Sequence, residues 1–586
     1  MRHSESSLLA LALACALWAP RLSAQPQAPG APHLVTLSIV GTTDLHGFVF
    51  PRNGRGGLAL LAGFLNNLRA AREADGGAVL LLDAGDTFQG GIESNLSEGA
   101  LVVDAFNAMG YAAATIGNHD FDFGPVDASG ARQMLTGDAR GALKARAAQA
   151  KYTFLAANLI DDRTDRPVDW PNVRPSVIVD AAGVKVGVVG VMTIDALRAT
   201  LPVNVHGLRV APLAPTIIAE ASKLRAAGAE VVVVTAHAGG ACWQFERPAD
   251  LPWCDPSSEI FSVARSLPKG LVDVITAGHT HYGVGHQVEG IAIVQAYALG
   301  RAFGRADVVF DRDARRVVRT SLFAPRDVCA RQDPETLSCE PAGPSAPPLP
   351  VSRYEGRIVT PDSAVVDAMA PALQRVRDLQ ATPIGVFVDT PIGRGGDMES
   401  PLGNLFADAL REAIAGADVA INNNARGGLR ADIPGGALTF GRLYDVFPFD
   451  NRLVRLTLTG AELRRVFADE IRRKRRGALG ISGVLVKAGC TADGLEVELF
   501  HATGRSIGAD ERVVVVAMDS LVSGLMFATV PPPAGFSVPE DAPIVREVVE
   551  DWLRQRGGQL DPEQFVDPDR RRWELPEIIQ VECAGL

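Results

Sequence analysis

The chain has no C-x-x-C pair, no internal repeat, and no apolar run past its first two dozen residues long enough to cross a bilayer. Nor does it carry an excess of basic residues: 57 Lys and Arg face 68 Asp and Glu, for a net charge of −11. The first absence argues against a thiolate zinc site. The missing apolar run leaves no candidate transmembrane helix. The charge disfavours general binding to nucleic-acid duplexes or anionic membranes. What is present is a long, apolar-rich chain. At 586 residues and 47% hydrophobic it needs two or more cores.

The N-terminus reads as a signal for export. Arg2 supplies a basic start, Leu8 to Trp18 an apolar stretch too short to span, and Leu22-Ser23-Ala24 a cleavage site. Residues 1–24 are therefore expected to be removed and the mature protein to be periplasmic or secreted. Ala14-Cys15 only weakly resembles a lipoprotein box, because apolar residues continue past the cysteine. Six cysteines then remain, an even number suited to an oxidising compartment. Local pairing suggests Cys242–Cys254 and Cys329–Cys339, with Cys490–Cys583 left by elimination, out of the roughly 15 connectivities that six cysteines allow.

The chemistry gathers where β runs stop. A strand over Leu34 to Val40 runs into Asp44-Leu45-His46, and Ala78 to Leu82 runs into Asp83-Ala84-Gly85-Asp86. Ala114-Thr115-Ile116 ends at Gly117-Asn118-His119-Asp120-Phe121-Asp122. Val231 to Val234 leads to His237, and Val272 to Ile275 leads to Gly278-His279-Thr280-His281. Asp offers a hard oxygen and His a nitrogen, a mixture suited to Zn, Mn, Co or Fe. Asp86 has two carboxylate oxygens to share between two ions. An Asp close to His119 fixes its tautomer. Helical periodicity over Leu58 to Glu73, Leu101 to Met109 and Ile217 to Ala227 alternates with these runs, which argues for α/β layers. Ligands just past strand ends fit the rule for open α/β sheets. Five of the ten histidines fall in these motifs; His206, His286 and His501 are read as ordinary surface or core residues.

Pro341 to Pro350 has a stiff linker composition, followed by a connecting helix over Asp362 to Leu379. We expect domains at 33–340 and 380–586, joined through 341–379. In the second half, Gly403-Asn404-Leu405 lies in a helix. Asn424-Ala425-Arg426-Gly427-Gly428-Leu429-Arg430 suits close approach to an anion with bidentate Arg recognition. Phe447-Pro448-Phe449-Asp450-Asn451 offers an aromatic face. Ala461 to Arg476 is an amphipathic helix with Leu463, Val466, Phe467 and Ile471 inward and a solvated basic end.

The strand-end motifs, in this order, resemble those of the calcineurin-like metallophosphoesterases. With the G-N-L and G-G-L-R segments after them, the chain is similar to the secreted bacterial 5′-nucleotidase / UDP-sugar hydrolase family over roughly its whole mature length. The resemblance implies an N-terminal four-layer α/β/β/α metallophosphoesterase sandwich followed by a smaller α/β substrate-binding domain. It implies two divalent metal ions, one held by Asp44, His46, Asp86 and His281, the other by Asp86, Asn118, His237 and His279. His281 stands where the family often has Gln. His119 would be the catalytic histidine and Asp122 its orienting partner. Arg430 would contact phosphate and Phe449 would stack on the base, with Asn451 beside it. Asn404 and Arg426 would lie nearby, Arg426 in place of a small residue. The arginines that the family carries before G-N-L have no direct match; Arg394 is the nearest stand-in. The family's second stacking ring and its G-G-D are replaced by Met518 to Phe527, with Ser520 and Met526 in the altered stretch.

The implied reaction is metal-dependent hydrolysis of 5′-nucleotides or nucleotide sugars; the oligomeric state is left open, with a monomer favoured. The alternatives are a 2′,3′-cyclic-nucleotide phosphodiesterase with 3′-nucleotidase activity, a more remote sulfur-oxidation hydrolase, and a non-catalytic periplasmic nucleotide- or metal-binding protein. The last would be expected to lose a ligand or His119.

Overall fold

The structure, a computed structural model, describes residues 33–126, 137–341, 343, 346–395, 399–424, 428–474, 479–491, 494–523, 527, 529–530, 538–539, 542–567, 569 and 571–575. The expected signal segment, Arg426, Met526 and Cys583 lie outside these residues.

The apolar β runs of the first half build two sheets. Leu34–Thr42, Ala78–Asp83, Ala113–Thr115 and Thr153–Leu155 run parallel side by side, and Ala302–Asp311 closes against Leu34–Thr42 antiparallel. In the second sheet Val184–Met192, Val231–His237, Val274–Ala277 and Ile291–Ala296 are parallel, in that order. Strands so rich in Val, Ile and Leu on both faces must be covered on both faces. Val35, Leu37 and Ile39 of one sheet meet Val186, Val188, Val231, Val233 and Val274 of the other in a shared core. Helices Leu58–Ala74 and Ala100–Met109 cover the outside of the first sheet. Leu213–Ala226 and Glu259–Ser266 cover the outside of the second. The result is the four-layer α/β/β/α sandwich.

The connecting helix spans Ser363–Gln380, and the Asp362 side chain caps it by accepting from the Ala364 amide at 2.8 Å. Val365, Met369 and Leu373 are buried in the core of the first half. Packing with that half therefore continues well beyond the proline-rich stretch. The second half has its own core around Leu453–Thr459, Arg512–Met518, Val419–Asn423 and Leu479–Ser482, a four-stranded sheet flanked by Pro401–Ala413 and Gly460–Lys474. Leu463, Val466, Phe467 and Ile471 are fully buried on that last helix, as its periodicity requires. Asn404 is buried too. Its amide donates to Glu399 Oε1 and Phe565 O, and its oxygen accepts from the Ile481 amide, so it ties the helix to its surroundings.

Disulfides join Cys242 to Cys254 and Cys329 to Cys339. Cys490 is also disulfide-bonded. Its expected partner, Cys583, lies outside the described residues. No helix among the described residues is long and apolar enough to cross a membrane.

Candidate dinuclear metal site

Asp44, Asp86, Asn118, His237 and His279 all sit at or just past the C-terminal ends of parallel strands, three from one sheet and two from the other. Stacking the sheets brings those ends together. The turns that follow are sharp. Asp44, His46, Asp86, His279 and His281 all have φ between 49° and 75°, the left-handed region that L side chains rarely adopt. Strain of this kind persists only where surrounding contacts enforce it. Here, Asp44 and His46 amides donate to Gly85 O and Asp86 O, both at 2.9 Å, and lock the two turns together.

The side chains form two triads, Asp44–His46–His281 and Asp86–His237–His279, each with ligand atoms within 4.8 Å of one another. Asp86 Oδ2 lies 3.3 Å from His237 Nε2 and 3.8 Å from His46 Nε2, between the triads. Asn118 Oδ1 joins the second at 3.0 Å from His237 Nε2. His46 donates Nδ1–H to Gln89 O at 2.9 Å, and His237 donates Nδ1–H to Ala84 O at 2.8 Å. Those bonds leave both Nε2 lone pairs facing inward. His46 Nε2 faces His281 Nε2 at 3.1 Å, and His237 Nε2 faces His279 Nδ1 at the same distance. Facing nitrogens beside carboxylates form a donor set made for cations, so the residues fit two metal ions. The only other such group among the described residues, Cys242–Cys254–His286, has both sulfurs in a disulfide.

The electrostatics agree. Burial opposes ionisation of Asp86, but His237 and His119 hold its carboxyl well below the usual range. Burial lowers His46, and burial together with His237 lowers His279 to about 4. For His237, burial is outweighed by Asp86, which raises it to about 9. His46 and His279 are thus held unprotonated, as ligands must be, while His237 carries a proton that a cation would displace.

Around this core sit residues that motif reasoning leaves without roles. Asp120 accepts from the amides of Thr87, Phe88 and Gly117 at 2.8, 3.2 and 2.8 Å, binding the Asp86 turn to the Asn118 turn. Burial raises its pKa to about 8. Three amides converging on one carboxylate cannot be read from a motif. Gly117 passes so close to Asp86 that a Cβ there would overlap its backbone nitrogen and Oδ1. Gly117→Ala is therefore expected to displace the Asp86 carboxylate, lowering bound metal and turnover together by about 10- to 100-fold. Metal analysis after dialysis, beside an activity assay, checks this.

His119 Nδ1 bonds Asp122 Oδ2 at 2.6 Å, and the His119 amide donates to Asp86 Oδ1 at 2.8 Å. A cavity of about 400 Å³ opens beside this pair and reaches Phe449, Asp450, Asn451, Asp519 and Ser520 of the second half. Asn451 Nδ2 donates to Asp519 Oδ1 at 2.9 Å. Arg430 lies over the Phe449 ring, 4.9 Å from its centroid. Ser520 lines the same cavity where the resemblance implies a second ring. Arg394 is bound instead to Asp432 at 3.0 Å, and Asn404 is not among the cavity residues. Arg198, absent from the motif reading, is. Asn95 donates to the Tyr444 hydroxyl and so ties the metal-site side to the second half.

Residues 37–283 match the model for calcineurin-like phosphoesterases, and residues 366–500 match that for the 5′-nucleotidase C-terminal domain. The 5′-nucleotidase of Vibrio parahaemolyticus is 26% identical over 463 residues, 73% of each chain. Endonuclease YhcR of Bacillus subtilis is 26% identical over 450 residues, 75% of this chain; the match spans only 33% of that protein's length. Among solved structures, a 5′-nucleotidase precursor from Thermus thermophilus superposes with TM-score 0.57 at 23% identity, covering 89% of this chain and 97% of that one. The sulfate thiohydrolase SoxB of Thermus thermophilus gives 0.54 at 18%, covering 92% and 96%. At these identities, both solved structures speak to the fold alone.

Proposed function

Because the chain belongs to the calcineurin-like phosphoesterases, with a 5′-nucleotidase C-terminal domain in its second half, we propose that it hydrolyses phosphate monoesters of nucleotides at a two-metal centre. The observation that carries this reading is the cavity that joins His119 and Asp122 to Phe449 and Asn451. Asp44, His46, Asp86 and His281 would hold one ion; Asp86, Asn118, His237 and His279 would hold the other. The ions would supply a water made acidic enough to attack at neutral pH and charge to clamp phosphoryl oxygens.

The chain's own groups do the rest. Asp122 holds Nδ1 of His119, so Nε2 is the atom left to meet the phosphoryl or leaving oxygen. Burial disfavours the imidazolium, but Asp122 and Asp86 outweigh it and raise the pKa to about 10. In the metal-free protein His119 is therefore protonated, with Nε2–H facing the cavity side of the pair. Phe449, braced edge-to-face on Phe447 with centroids 5.6 Å apart, offers a ring for the base. Phe449→Ala is expected to weaken nucleotide binding by about 1–3 kcal/mol, the scale of base–aromatic stacking elsewhere. The rise should appear in KM for AMP and be absent with p-nitrophenyl phosphate.

Ser520 at the cavity favours a second reading, a 2′,3′-cyclic-nucleotide phosphodiesterase with 3′-nucleotidase activity, since one ring grips a base less selectively. The trifunctional nucleotide phosphoesterase YfkN of Bacillus subtilis, 26% identical over 426 residues, belongs to the same set of relatives. Retention of every proposed ligand and of His119 speaks against a non-catalytic binding protein. A secreted or periplasmic location is part of the proposal, supported by the disulfides.

The deciding experiment is phosphate release with Mn²⁺ or Zn²⁺, and with chelator, from AMP, UMP, UDP-glucose, 3′-AMP, 2′,3′-cyclic AMP and bis-p-nitrophenyl phosphate. Preference for 5′-nucleotides supports the first reading and preference for cyclic or 3′ esters the second. Absence of metal-dependent turnover on all of them overturns both.

A further inference from the structure

The segment after Val184–Met192 reaches back across the sequence to the catalytic turn. Asn118 Nδ2 donates to Ala199 O at 3.0 Å. The Thr200 hydroxyl donates to Asp122 Oδ1 at 2.6 Å. Asn204 Nδ2 donates to Phe121 O at 2.8 Å. Three successive contacts from one short segment thus hold the side chain of Asn118, the backbone of Phe121 and the side chain of Asp122. Nothing in the strand-end motifs announces this segment, which lies some eighty residues further along.

Two of these bonds settle an ambiguity that would matter to the reaction. An Asn amide can present either its oxygen or its NH₂ to a neighbour. With the NH₂ given to Ala199 O, the oxygen is the end turned to His237 Nε2. A carboxylate can rotate about its last bond. With one oxygen of Asp122 taken by Thr200 and the other by His119 Nδ1, that rotation is stopped from both sides. Ala199 and Thr200 also line the cavity, so the segment that fixes the catalytic pair is a wall of the space a substrate would enter.

We propose that Thr200 is a positioning residue of the reaction: its hydroxyl holds Asp122 in the rotamer that orients His119. The proposal rests on the phosphoester-hydrolase reading for its chemistry, while its geometry stands apart from the substrate. Thr200→Val keeps the shape and removes the donor; Thr200→Ser keeps the donor. A charged acceptor that loses one donor predicts a fall in kcat of about 10- to 100-fold for Thr200→Val, with KM nearly unchanged. Thr200→Ser should restore most of the rate.

The second readout needs neither metal nor turnover. In metal-free protein labelled with ¹⁵N-histidine, the His119 Nδ1–H resonance, assigned by its loss in His119→Ala, should shift or broaden in Thr200→Val and return in Thr200→Ser. Unchanged kcat and an unchanged resonance in Thr200→Val overturn the proposal. So does a loss that serine fails to repair and that tracks a lowered Tm, since a purely structural residue would behave that way. If none of the phosphate esters is turned over but the resonance responds as described, the positioning role stands and the hydrolase reading falls.

Discussion

His119→Ala is expected to lower kcat by about 10²–10⁴-fold, the range that a positioned proton-transfer group contributes, while bound metal stays at the wild-type level. The expectation follows from where the imidazole sits. His119 is not a member of either triad; its ring centroid lies 5.3 Å from that of His46. Its Nδ1 is committed to Asp122, and its backbone amide, not its ring, touches Asp86. Alanine keeps that amide bond and so leaves the Asp86 turn in place. The loss should therefore appear in kcat, with metal content at the wild-type value. The measurement is kcat on whichever ester is best turned over, with bound metal quantified in the same sample. Equal falls in metal and rate would show that His119 supports the centre itself. An unchanged kcat would remove it from the reaction.

Much of this arrangement is legible without any knowledge of the fold. The runs of Val231 to Val234 and Val272 to Ile275 are too short and too β-branched to be helices. A His or Asp just past such runs has its position set by strand polarity. Periodicity carries the inward face of Leu463, Val466, Phe467 and Ile471, since those residues are neighbours on one helix. The ten-residue strand Ala302–Asp311 escapes the apolar-run reading, because Gly304, Arg305 and Asp307 interrupt its apolar residues, and its place is set by pairing with Leu34–Thr42 on one side and Arg316–Leu322 on the other. The contacts of Asp120, Thr200 and Ala199 are equally hidden. A carboxylate or hydroxyl is recognised by what faces it, and here the partners come from distant segments. Arg394 shows the converse: a cation at a promising sequence position is bound by Asp432 across the chain.

Asp86→Ala should have the largest effect of any single substitution, abolishing metal-dependent turnover and lowering metal affinity by more than the roughly 100-fold that loss of an outer partner can cost. Asp86 Oδ2 lies within 3.8 Å of both His46 and His237. It is buried, with 2% of its surface exposed. It also accepts the His119 amide, which couples the catalytic turn to the centre. Removing it leaves the facing pairs His46–His281 and His237–His279 with less negative charge between them. Cations are then bound less well, and the pull that raises the His237 pKa to about 9 in the metal-free protein is lost. Asp86→Asn separates these roles, since it keeps one oxygen and the approximate shape while removing the charge. If charge sharing is what matters, Asn should fail nearly as badly as Ala. If a single oxygen suffices, Asn should retain one ion and a measurable rate. Metal titration of the two variants, followed by calorimetry, reads the difference directly. Two ions held with wild-type affinity by Asp86→Ala would refute a shared carboxylate and, with it, a two-metal centre organised around this residue.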